Sequence, residues 1–137
     1  MNALGRMIEA VRPGGAILDL QVIRPDPQVE LDGRVAAPID GAALFSWADA
    51  ATAAIDARIG VGDLVEEAVD DHEVCKHYAD GAELVADFAD SKRRLPEEVV
   101  PRLSTIDAPL AVREWCRLRR LRVPGDRDAV GARRRQA

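Results

Sequence analysis

The densest gathering of side chains able to bind or transform a ligand is Asp70-Asp71-His72-Glu73-Val74-Cys75-Lys76-His77. On an extended strand, Asp71, Glu73, Cys75 and His77 share one face, and Asp70, His72 and Lys76 share the other. A face offering carboxylate, thiolate and imidazole suits a transition metal such as zinc. Structural zinc sites, however, draw Cys/His pairs from two separated places, and the sequence holds no second cluster. The competing reading is an acidic, solvated edge strand. Cys75 as a nucleophile near His72 or His77 needs a pocket and an orienting third group. Cys116 sits among apolar strand positions and reads as a small buried hydrophobe. The pairs Glu66-Glu67 and Asp70-Asp71 serve acid–base chemistry only where burial separates their pKa values, and nothing in the pattern buries them. The sequence therefore assigns no catalytic, cofactor-binding or metal-ligating residue.

Two further groups carry chemistry. Arg113, Arg117, Arg119, Arg120 and Arg122 can grip phosphates or, as a solvated strand face, pair with Asp and Glu. The only large rings are Phe45, Trp47, Tyr78, Phe88 and Trp115. None interleaves with the arginines to give the stacking platform that single-stranded nucleic acid wants. Trp47, at helical spacing with Leu44 and Ala51, reads as core. Gly60-Val61-Gly62 follows a helix rather than a strand, the wrong context for a phosphate cradle.

The charge is unevenly spread. Residues 1–91 hold 18 acidic and 6 basic side chains, and residues 92–137 hold 6 acidic and 13 basic, within an overall charge of −5. The basic segment is expected to meet the acidic part of its own chain or of a partner, rather than nucleic acid. The 17 arginines against 2 lysines read as the base composition of a GC-rich bacterial genome. At 137 residues with 47% hydrophobic content, the chain suits one domain. No apolar run reaches membrane-spanning length, and Met1–Ala10 has no apolar signal core. With two cysteines, a reduced cytoplasmic setting is expected.

The elements that would position these residues follow from periodicity. Leu4, Met7, Ile8 and Val11 form the stripe of a helix that Pro13-Gly14-Gly15 stops. Ala16–Ile23 is a short apolar run, read as a strand that Arg24-Pro25-Asp26-Pro27 ends. The chain is then irregular, or a weak hairpin around Asp32-Gly33, through Pro38. Asp40 caps a helix from Gly41 to about Arg58, with Leu44, Trp47, Ala48, Ala51, Ala54 and Ile55 as its apolar stripe. Leu64–Tyr78 reads as a solvent-facing strand. Asp80 and Glu83 have capping-box spacing for a helix presenting Leu84, Val85, Phe88 and Ala89. Pro96-Glu97-Glu98 opens another short helix. Pro109–Val123 fits strand or helix by pattern alone, and the basic stretch from Asp126 to Ala137 reads as a disordered tail.

The run of helix, Arg12-Pro13-Gly14-Gly15 and strand resembles the class I S-adenosylmethionine-dependent methyltransferases, in which such a turn precedes the fifth strand. A helical insert, the extended Leu64–Tyr78, the helix in YADGAELVADF and the Arg-rich PLAVREWCRLRRLRV follow in the same order. The resemblance covers roughly Leu4 to Val123 and matches only the C-terminal half of that family. It implies an α/β (α+β-like) domain over residues 1–124, a small mixed sheet of about three strands with about four helices, and a basic tail over 125–137. It also implies that Pro109–Val123 is a strand lying antiparallel between Ala16–Ile23 and Leu64–Tyr78, and that Trp47 could line an acceptor pocket. The Gly-rich turn that cradles S-adenosylmethionine has no counterpart, so no cofactor is expected on this chain alone. Ala16–Ile23 loses a neighbour, and the resemblance points to a homodimer through that strand edge or the uncovered sheet face. The functional expectation is a non-catalytic remnant that self-associates and binds a small ligand or protein partner. The alternative is the C-terminal part of a split methyltransferase completed by a separate cofactor-binding half.

Overall fold

In chain order the elements are α1 (Ala3–Ala10), β1 (Ala16–Leu31), β2 (Arg34–Pro38), α2 (Ala42–Gly60), β3 (Val65–Tyr78), α3 (Gly81–Phe88), α4 (Val100–Ser104) and β4 (Leu110–Arg122). They belong to a computed structural model that describes residues 2–125. Among the described residues the fold is mixed α/β, with four helices and one four-stranded antiparallel sheet in the order β2-β1-β4-β3. The expected mixed sheet of about three strands is thus corrected, because β2 joins it and neighbouring strands run antiparallel. From residue 126 onward, the expected basic tail lies outside the described residues.

The fourth strand exists because β1 does not stop at Arg24-Pro25-Asp26-Pro27. It continues for 16 residues to Leu31. A proline lacks a donor but keeps its acceptor, and Pro27 uses that acceptor where the pairing with β2 ends. Pro27 O accepts from Ile39 N–H at 3.1 Å. Asp32 and Gly33 both adopt positive φ, 51° and 73°. That is the two-residue turn whose twist suits a hairpin, and it returns Arg34–Pro38 against Gln28–Leu31.

Two compact units make up the chain. The first is built from the described residues up to Gln21, Asp49–Asp70 and those from Arg117; the second comprises Val22–Ala48 and Asp71–Cys116. In the first unit, Asn2 Oδ1 accepts from Gly5 N–H and caps α1. Leu4, Ile8 and Val11 of the expected stripe pack on Ile17, Ile55, Leu64 and Leu121. Met7, also in that stripe, is half exposed instead. Burying each of these branched side chains stabilises by about 2 kcal/mol.

In the second unit the core joins Val29, Ala37, Ile39, Tyr78, Leu84, Phe88, Leu103, Leu110 and Val112. Asp80 caps α3, its Oδ1 accepting from Glu83 N–H at 2.8 Å, and Glu83 Oε2 reaches back to Ala79 N–H at 2.6 Å, one residue before the N-cap N–H that a capping box uses. α4 is only Val100–Ser104, with Pro101 in its first turn. Leu103 of α4 brings its carbonyl against Gly81 so closely that a Cβ there would lie 1.7 Å from the oxygen.

Trp47 departs from its expected place in the core. The buried residues of this stretch of α2 are Phe45 and Ala48, while Trp47 is 67% exposed with the Lys92 ammonium 3.5 Å from its ring centre. Phe45, two positions earlier and so on nearly the opposite side of the helix, takes the buried place, and Arg24 lies over its ring at 4.9 Å. The ring of Trp47 gains a cation–π partner in exchange for burial.

Candidate functional site

β3 is a strand, as expected, and its two faces part the acidic cluster. In the second unit, Cys75 and His77 line one cleft of about 300 Å3 together with Glu30 and Arg113. Glu73, on the same face, accepts from Arg113 Nη1 at 2.5 Å. Arg113 Nε also donates to both carboxylate oxygens of Glu30, at 3.0 Å each. This bond to Arg113 holds the Glu30 carboxyl below the ordinary carboxylate value. Cys75 is exposed along this open cleft, and the nearby guanidinium is already bound to two carboxylates. Among the described residues no group of three or more His, Cys, Asp or Glu is arranged to hold a metal ion.

The opposite face of β3 carries Lys76 and Tyr78, which line a cavity of about 180 Å3 with Asp87, Ser91, Arg93 and Glu114. Sequence reasoning missed this group, because its members are spread from β3 to β4 and each reads alone as an ordinary surface charge. Arg93 makes a bidentate pair with Glu114 through Nε to Oε1 and Nη2 to Oε2. That pair raises the guanidinium pKa. Asp87 accepts from Lys76 Nζ at 2.8 Å and from the Tyr78 hydroxyl at 2.6 Å. Lys76 foremost, then Tyr78, lower the Asp87 carboxyl. Nearby, Cys116 is buried as expected, and burial pushes its thiol up.

Tyr78 offers a test of this network. Burial first, and the bond to Asp87 second, push its phenol well above the ordinary value. The folded pKa exceeds the unfolded one, so its contribution to stability is complete below about pH 10 and is lost as pH rises beyond it. Tyr78 is the only tyrosine, so tyrosinate absorbance near 295 nm reports it alone. We expect no ionisation of the native protein through pH 10–11, with absorbance appearing together with unfolding. A reversible titration centred near pH 10 in the folded protein would contradict the buried network.

The arginines of β4 in the first unit meet carboxylates. Arg119, with a side chain only 9% exposed, donates Nη2 to Asp56 at 2.8 Å and Nε to Glu66 at 2.7 Å. Burial alone would lower its pKa, and the two carboxylates more than offset that. Arg120 and Arg122 both donate to Glu67. The acidic pair Glu66-Glu67 is thus divided between the two faces of β3, each carboxylate held by arginine.

The glycines do not form a nucleoside cradle. Of the strand-to-helix turns among the described residues, β2 to α2 contains Gly41, where a Cβ would strike the Phe45 ring at 2.8 Å. β3 to α3 contains Gly81, filled by Leu103 O as described. Both close approaches are taken by the chain's own atoms. Gly60 ends α2 and Gly62 follows it, and both face open space. Neither strand-to-helix turn among the described residues leaves its glycine open to a nucleoside. No helix among the described residues is long and apolar enough to cross a membrane. Comparison with models of protein families, with curated proteins and with solved structures finds no match to this chain.

Proposed function

We propose that this chain is an association module with the sheet of a methyltransferase C-terminal half, acting without a cofactor of its own. The supporting observation is the strand order. β4 lies between β1 and β3, the arrangement that the resemblance implies for the last strand. The first strand of that trio keeps an edge on which the complete family sheet continues. In this chain β2 covers only the distal part of that edge, opposite Gln28–Leu31, and the exposed Leu18 and Leu20 lie on the uncovered part. A strand with open backbone groups and apolar side chains pairs with another strand. We take the partner to be a second copy, with binding rather than catalysis as the role.

The same edge would suit a separately made cofactor-binding half, and this second reading rests on that geometry. Titration calorimetry of the purified chain with S-adenosylmethionine tests the first reading. We expect no heat at hundreds of micromolar ligand. Micromolar binding would show a cofactor site built from this half alone and would overturn the non-catalytic role.

A further inference from the structure

The open edge of β1 has definite ends and a definite centre. Val123 N–H donates to Gly15 O at 2.9 Å, turning that peptide toward β4. Alternation along the strand then aims the N–H and C=O of Ala16, Leu18, Leu20 and Val22 away from β4. No strand among the described residues pairs there, since β2 begins its register only at Gln28. The Gly14-Gly15 turn closes the row at one end. The other end lies short of Pro27, whose O accepts from Ile39 N–H just past β2. The available edge runs from Ala16 to Arg24, and its middle residue is Leu20.

Read outward from Leu20, this edge is self-complementary. Asp19 and Gln21 are the polar neighbours, Leu18 and Val22 are apolar, and Ile17 and Ile23 are identical. Resting on the self-association reading, we propose that a second copy adds its β1 antiparallel to this edge, with Leu20 opposite Leu20 of the partner subunit. Leu18 then faces the partner's Val22, Ile17 faces the partner's Ile23, and Asp19 faces the partner's Gln21. Leu18, Leu20 and Val22 exchange about six backbone hydrogen bonds with the partner. The side chains of Leu18 and Leu20, 64% and 57% exposed, form apolar cross-strand pairs.

Charge selects this register over its neighbours. Centring the pair on Asp19 would set two carboxylates directly opposite, a destabilising like-charge pair. Centring it on Leu18 would face Ile17 with the partner's Asp19. The Leu20 register instead brings a carboxamide donor to Asp19. That residue needs one: its Oδ1 accepts from Gln21 at 2.7 Å, but its Oδ2 is buried without a hydrogen-bond partner. A single strand pair buries less than the roughly 800 Å2 per partner of a standard interface, so micromolar affinity is expected.

Disulfide trapping tests the register. Exposed Cys75 is first replaced by Cys75→Ser, and Leu20→Cys or Leu18→Cys is added; both sites are solvent-facing, so neither change disturbs the core. Opposed residues of a hydrogen-bonded pair have Cα atoms about 5.5 Å apart, within the range a disulfide spans. Two copies of position 18 would be roughly 13 Å apart along the strands. Under oxidised glutathione, the Leu20→Cys chain should form covalent dimer at least tenfold faster than the Leu18→Cys chain. Equal rates, or no trapping at position 20 in a protein of dimeric mass, would overturn the register while leaving self-association standing. A monomeric mass would overturn both, as would a dimeric mass seen only when a different chain copurifies.

Discussion

Gly81→Ala should destabilise the protein by about 3 kcal/mol or more, lowering the melting temperature by roughly 10 °C. The cause is steric and local. The new methyl would lie 1.7 Å from Leu103 O and 2.7 Å from Leu103 C, and backbone atoms cannot rotate away as a side-chain end can. α3 and α4 would have to separate, opening the core that Leu84 and Leu103 fill at 0% exposure. The shift would also strain the hydrogen bond from Gly81 N–H to Ile106 O at 3.0 Å. Ala82→Gly, one position along the same helix turn and exposed, supplies the control. It should cost only about 1 kcal/mol by helix propensity. Thermal unfolding followed by circular dichroism measures both. Equal, small shifts for the two variants would refute the close packing of α3 on α4.

Leu121→Ala should cost about 3 kcal/mol, read from urea unfolding. Leu121 is fully buried, and it packs in the first unit with Ile17, Ile55 and Leu64. Ile17 adjoins Leu18 on β1, so loss of Leu121 removes support from behind the exposed edge. The variant should therefore associate more weakly as well as unfold more easily. Leu18→Lys separates the two effects. The lysine would replace a solvent-facing side chain, so stability should change by less than about 0.5 kcal/mol, while association is lost. A Leu121→Ala protein as stable as the parent would mean that this core does not hold β1.

Local signals in the sequence carried most of the elements. The Asp80–Glu83 spacing predicted a capping box, and Asp80 caps Glu83 N–H as expected while the Glu83 carboxylate reaches back one residue further, to Ala79 N–H. The acidic run up to Tyr78 was legible as an exposed strand, and Asp32-Gly33 as a hairpin turn. What failed did so for tertiary reasons. Two prolines suggested that β1 stops at Arg24, because a sequence does not reveal that Pro27 will sit at the end of the pairing with β2, where its carbonyl alone is used. Trp47 looked like core because Leu44 and Ala51 share its helical phase, yet Phe45 took the buried position. Arg93, Glu114, Tyr78 and Asp87 gave no signal at all, since their meeting depends on the packing of β3, α3, the loop after α3 and β4. Pro109–Val123 remained ambiguous by periodicity because β4 alternates irregularly: Leu110 and Val112 are buried, then Cys116, Arg119 and Leu121. Arg119 is buried by its two carboxylate partners rather than by being apolar, which no hydrophobic pattern records.

Sedimentation equilibrium between about 1 and 100 μM tests the central claim most directly. The reading of this chain as an edge-pairing module predicts a mass that rises with concentration from 14.9 kDa toward about 30 kDa, with a micromolar midpoint. The Leu18→Lys variant should stay at the single-chain mass throughout. A wild-type protein that remains at 14.9 kDa across the whole range would contradict the account.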